Sequence, residues 1–297
     1  MIISASYKTD IPAFYGTWFL KRLDAGVCRA RNPYGGQIYE VPLDLASVDG
    51  FVFWTRNAGP FLPVLREVRR RGYPFTVQYT ITGYGRPLEL SVPGPDEMAE
   101  TARRLAEEFG PRAVVWRYDP ILISSATPPS FHLRQFERLA VALGGATDEV
   151  TVSFAQFYRK TARNLAALAR KTGLSWGDPA PEQKRELLSS LAKVATLNGM
   201  RLTLCTQPSL TDVAPPAQCI DGARLGDIAG HAIKAQEKGN RPSCFCHRSR
   251  DIGAYDSCPH GCVYCYAVSS QKAARARFRR HDANGPFLID DGVKRPA

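Results

Sequence analysis

The chain has 297 residues, with 39 Lys and Arg against 28 Asp and Glu, a formal charge of +11, and eight cysteines. An apolar content of 44% beside 23% charged residues excludes wholesale disorder, and the length allows one large domain or two ordinary ones. No run of eighteen apolar residues suggests a membrane span, and no membrane partner is expected. The first residues, Met1 to Asp10, carry no basic segment followed by an apolar core, so the expected compartment is the cytoplasm. In a reducing compartment, clustered thiols read first as metal ligands or catalytic groups.

In chain order, β-branched and aromatic runs occur at Ile2–Ser6, Gly50–Thr55, Phe75–Thr82, Ala113–Tyr118, Glu149–Phe154 and Arg201–Thr206. Helical periodicity lies between them at Ile11–Ala25, Phe61–Arg71, Pro95–Phe109, Phe131–Leu143, Phe157–Lys171 and Pro181–Leu197. This alternation predicts an α/β protein with a mostly parallel sheet. The near-continuous apolar strands suit a sheet covered on both faces. Six units are too few for a closed eightfold barrel, so a partial (βα)6-type barrel is expected. Polar residues gather where the strands end, at Lys8-Thr9-Asp10, Thr55-Arg56-Asn57, Thr80–Gly85, Arg117–Pro120 and Cys205–Gln207, the edge on which parallel α/β proteins build sites.

The turn-rich stretch Lys238–Pro242 predicts a joint between a partial barrel over 1–240 and a cysteine-rich segment over 241–297. That segment holds five of the eight cysteines, with ten Lys or Arg against five Asp or Glu. Within it, Cys258-Pro259-His260-Gly261-Cys262-Val263-Tyr264-Cys265 places three thiols at x3 and x2 spacing. A compact loop of this kind can present three sulfurs to three irons of a [4Fe–4S] cubane and leave the fourth iron open. Pro259 and Gly261 suit a tight loop, with a helix expected from about Tyr266. A zinc knuckle using Cys258 or His260 beside Cys262 and Cys265 is the alternative, although a loop hydrogen bond suits His260 better.

Cys244 and Cys246 form C-x-C, Cys205 ends the sixth strand run and Cys219 follows it. Together these four thiols could hold a second [4Fe–4S] cluster or a zinc ion. Cys28 reads as an ordinary small apolar residue. The basic run Lys272, Arg275, Arg277, Arg279 and Arg280 surrounds Phe278. It suits either a solvated helix end or a phosphate backbone with Phe278 stacked on a base, which keeps a nucleic-acid partner open.

The loop C-x3-C-x-aromatic-C, with Tyr264 as its aromatic, resembles the cluster loop of the radical S-adenosylmethionine (radical SAM) superfamily. Cys244–Cys246, Asp251–Tyr255 and Cys258–Ala267, with Trp54–Asn57 and Arg117–Ile121, are similar to an uncharacterised bacterial family. That family is a domain of unknown function with a radical-SAM-like cluster at its C-terminus. The strand-end segments bear a fainter likeness to spore photoproduct lyase-type enzymes. The resemblance implies one-electron cleavage of S-adenosylmethionine at a [4Fe–4S] cluster, hydrogen abstraction from a substrate, and an electron donor such as a flavodoxin or ferredoxin. Superfamily members carry the loop after the first strand. Here it follows all six, as in a permuted arrangement. The superfamily's Gly-Gly-Glu is missing, which leaves Tyr264, Thr55, Asn57, Arg117 and Asp119 as the expected contacts to the cofactor.

Overall fold

The computed structural model describes residues 1–290. Nine strands and nine α-helices alternate through them: β1 (Ile2–Ala5), α1 (Ile11–Phe14), α2 (Gly16–Asp24), β2 (Val27–Arg31), β3 (Ile38–Pro42), β4 (Gly50–Thr55), α3 (Leu62–Arg70), β5 (Phe75–Thr80), α4 (Pro95–Phe109), β6 (Val114–Ile121), α5 (Pro129–Leu143), β7 (Glu149–Phe154), α6 (Arg159–Thr172), α7 (Pro181–Leu197), β8 (Arg201–Leu204), α8 (Gly222–Ala229), β9 (Ser249–Asp251) and α9 (Gln271–Arg279). Seven strands form one sheet in the order β8-β7-β6-β5-β4-β1-β9, and every neighbouring pair is parallel.

All six expected strands are present. Three further strands were not expected. β2 and β3 form an antiparallel pair, and β9, inside the cysteine-rich segment, pairs in parallel with β1. Three residues are too few for a periodicity to show. The helix expected from about Tyr266 begins instead at Gln271, where the Ser270 hydroxyl accepts the Ala273 N–H as an N-cap. Ile11–Ala25 splits at Tyr15 into two helices.

The two faces of the sheet differ. Ile3 and Ala5, Phe51 and Phe53, Val77 and Tyr79, Trp116 and Tyr118, Val150 and Val152, and Leu202 and Leu204 alternate onto one face. There they pack with residues of α2, α3, α4, α5 and α7 in the main core. The opposite face is largely polar, which departs from the apolar runs read in the sequence. Ser4, Gln78, Arg117, Thr151 and Thr203 are buried on it and hydrogen-bonded. Such groups can be buried because they are paired. Chain from 214 to 248 covers part of this face, packing Ala217, Cys219, Ile220, Leu225 and Cys246 on Ile2 and Val52. No described helix is long and apolar enough to cross a membrane.

Candidate functional site

The loop that carries Cys258, Cys262 and Cys265 lies over the C-terminal edge of the sheet. Residues following four different strands hold it. After β1, Asp10 Oδ2 lies 2.8 Å from His260 Nε2. After β5, Ser91 N–H donates to the His260 carbonyl, Val263 N–H donates to the Leu88 carbonyl, and Glu89 pairs with Cys262 as an antiparallel bridge. After β7, the Thr161 hydroxyl donates to the Tyr264 carbonyl at 3.2 Å. After β4, the Arg56 guanidinium lies 5.4 Å from the centre of the Tyr264 ring.

Gly261 has φ +82°, and a Cβ there would fall 2.8 Å from Leu90 Cβ. Only glycine allows both that conformation and that approach. His260 bonds to Asp10 and, through Nδ1, to the Ser91 carbonyl at 3.1 Å, which anchors the loop.

A buried polar network backs the loop. Glu89 Oε1 accepts from Arg56 Nη1 at 2.5 Å, from the Thr82 hydroxyl at 2.7 Å and from the Tyr264 hydroxyl. The Arg56 side chain is 13% exposed and that of Glu89 is 3% exposed, so this is a desolvated ion pair. Burial disfavours the guanidinium charge, but Glu89, Tyr264, Cys262 and Cys265 beside it hold Arg56 firmly protonated.

The three thiols lie within electrostatic reach of one another. Burial pushes all three up, Cys262 to about 12. Backbone N–H groups point at the sulfurs. That of His260 bonds to Cys258, and that of Ala267 reaches Cys265 Sγ at 3.4 Å. Were a metal to replace the thiol protons, the N–H groups and Arg56 would stabilise the anionic sulfurs. Among the described residues, no three His, Cys, Asp or Glu side chains are gathered as a single metal ion requires. Three thiols on one loop, with N–H donors and a cation beside them, are a donor set that could hold an iron–sulfur cluster.

Cys205, Cys219, Cys244 and Cys246 also come together, on the polar face of the sheet. The Cys205 and Cys219 sulfurs are 3.9 Å apart, and hydrogen bonds join Cys219 to Cys246 and Cys246 to Cys244. The bond from Cys246 draws the Cys244 thiol down to about 6 against its burial. Arg117 Nη1 donates to Cys219 Sγ at 2.9 Å and Arg241 Nη2 to Cys205 Sγ at 3.5 Å. All eight cysteines are free thiols, and Cys28 is buried in the main core.

The other expected contacts fall in two places. The Thr55 hydroxyl accepts the Asn57 N–H at 2.9 Å and closes the turn after β4. Arg117 and Asp119 pair at 2.6 Å beside the four-thiol group, with Arg117 5.0 Å from the Trp54 ring. Burial works against the Asp119 charge, but Arg117 and the Ser153 hydroxyl outweigh it and hold the carboxyl below its ordinary range. Phe278 packs edge-on against Phe14 and Tyr15 at 5.5 and 5.6 Å and is partly buried against the main core. A pocket of about 300 Å³ adjoins the segment leading into the loop, with Lys8, Arg29, Arg31, Tyr255, Asp256 and Arg277 in its wall.

Sequence reasoning missed Asp10 and Glu89 as partners of the loop. Asp10 stood in a polar strand end, but Glu89 lies in a loop with no motif around it.

Among solved structures, a crystal structure of D-hydantoinase is similar to this chain at 11% identity with a TM-score of 0.33, covering 71% of this chain and 42% of that one. No curated protein matches the chain. A family model matches residues 2–267, nearly the whole chain, and the protein belongs to the family described as Domain of unknown function (DUF1848).

Proposed function

We propose that this protein is an iron–sulfur enzyme of the radical SAM type, in which Cys258, Cys262 and Cys265 hold a [4Fe–4S] cluster. The observation that carries the reading is the C-x3-C-x-Tyr-Cys loop, fixed over the C-terminal edge of a parallel sheet by bonds to Asp10, Leu88, Ser91 and Thr161. We read that sheet, with helices on one face and a polar second face, as a partial barrel. When bound, such a cluster supplies an open iron for the amino and carboxylate groups of S-adenosylmethionine and the electron for its cleavage.

The chain's own residues have separate tasks in this reading. Asp10 and His260 set the position of the loop between its first two cysteines. Arg56 offsets negative charge on Cys262 and Cys265. Glu89 keeps that guanidinium and the Tyr264 hydroxyl in place.

The test is product analysis. Protein reconstituted and reduced without air should form 5′-deoxyadenosine from S-adenosylmethionine, and the Cys262→Ala variant should not. Equal formation by both proteins would remove the reading.

A further inference from the structure

We infer that Cys205, Cys219, Cys244 and Cys246 form a closed tetrathiolate site for one tetrahedral ion of the zinc type, separate from the Cys258–Cys265 loop. This does not rest on the radical SAM reading.

The four sulfurs come from three stretches of chain, each placed by backbone bonds. Cys205 follows β8, and its N–H donates to the Val152 carbonyl at 2.9 Å. Cys219 ends a stretch that runs beside β8, with Leu204 N–H donating to the Pro215 carbonyl and Ala217 N–H to the Leu204 carbonyl. Cys244 and Cys246 lie in a narrow turn closed by the Glu237–His247 bridge and by Lys238 N–H donating to the Cys246 carbonyl. A Cβ at Gly239 would fall 2.0 Å from the Cys244 carbonyl oxygen, so that turn closes only around a glycine.

The Cys205–Cys219 distance favours a single ion over a cubane. Sulfurs on one tetrahedral zinc, each about 2.3 Å from the ion, stand about 3.8 Å apart. Cys205 and Cys219 are 3.9 Å apart, and Cys246 is in hydrogen-bond contact with both Cys219 and Cys244. A cubane puts its own irons and sulfides between its ligands and holds them beyond contact. As thiols the four sulfurs bond in a chain and are not closed round one point, in keeping with the lack of a preformed single-ion group among the described residues. Zinc binding would release the thiol protons to solvent, after which the chain of S–H bonds no longer opposes closure. Four thiolates around a divalent ion leave two negative charges, and Arg117 and Arg241 already donate to Cys219 and Cys205. Such an ion would tie β8 to the segment that leads into β9, joining the two edges of the sheet.

The experiment uses the full chain carrying Cys258→Ala, Cys262→Ala and Cys265→Ala, so that the loop binds nothing. The expected result is about one zinc per chain, exchangeable for cobalt(II) with the visible absorption of a tetrahedral tetrathiolate. Adding Cys246→Ser should abolish that absorption. The cobalt spectrum decides the matter even where the fourfold variant fails to fold. About four irons with sulfide in the threefold variant, or neither zinc nor cobalt held, would overturn the inference.

Discussion

His260 Nε2 lies 2.8 Å from Asp10 Oδ2, which ties the middle of the three-cysteine loop to the turn after the first strand across 250 residues of sequence. The same Asp10 oxygen accepts the Arg56 N–H at 2.7 Å, and its other oxygen accepts the Ala13 N–H at the start of α1. One carboxylate thus fixes the loop, the end of β4 and a helix N-terminus together.

Removing that tie should loosen the loop before it unfolds the protein. His260→Ala leaves the Ser91 carbonyl and one bond to Asp10 unmet, a cost of about 1–3 kcal/mol. Urea unfolding should show that loss, and iron retained per chain after anaerobic reconstitution should fall.

Glu89 is the counter-charge of Arg56, and both are buried. Glu89→Ala should cost about 3–5 kcal/mol, because it strands a buried guanidinium. Glu89→Gln keeps an acceptor in place and should cost less. Equilibrium denaturation of the two variants gives the comparison, and equal costs would show that the charge of Glu89 does not matter.

Gly261→Ala should strain the loop in two ways, through its φ of +82° and through contact with Leu90. The expected penalty is about 1–3 kcal/mol, with a lowered iron content and an unchanged far-ultraviolet circular dichroism spectrum. Full iron loading in this variant would show that the loop tolerates displacement from Leu90.

The two halves of the site differed in how far they could be read from sequence. The spacing of Cys258, Cys262 and Cys265 is local, and so is the apolar patterning of Gly50–Thr55 and Glu149–Phe154, which form strands over the same residues. The partners of the loop are not local. Asp10, Arg56, Glu89 and Thr161 each follow a different strand, and only the parallel topology brings them to one edge. The grouping of Cys205 and Cys219 with Cys244 and Cys246 was suggested by counting thiols, but contact between them depends on the turn at Gly239 and the bridge at His247. β9 stayed hidden because Ser249-Arg250-Asp251 has no strand pattern, and its Asp251 carboxylate accepts from the Ser4 and Ser6 hydroxyls.

His132 provides a test by pH that lies apart from either group of cysteines. Its Nε2 donates to the Leu122 carbonyl at 3.1 Å and its Nδ1 accepts from the Tyr118 hydroxyl at 2.9 Å, so the neutral ring satisfies both partners. Burial lowers it to about 4 from an ordinary 6.5, against backbone bonds to Leu122 and Thr127. The unfolded chain therefore binds the proton first as pH falls. The stabilisation is complete above about pH 6.5 and is lost progressively down to about pH 4, about 3 kcal/mol in all. His132→Gln should flatten this part of the stability profile, as measured by urea midpoints across that range.

The most direct test of the central proposal is the electron paramagnetic resonance spectrum of the anaerobically reconstituted, reduced protein with and without S-adenosylmethionine. A reduced-cluster signal that changes on adding S-adenosylmethionine, and that is missing from Cys262→Ala, is the expected result. A signal left unchanged by S-adenosylmethionine, or retained in full by Cys262→Ala, would contradict the assignment of Cys258, Cys262 and Cys265 as the ligands of a substrate-binding cluster.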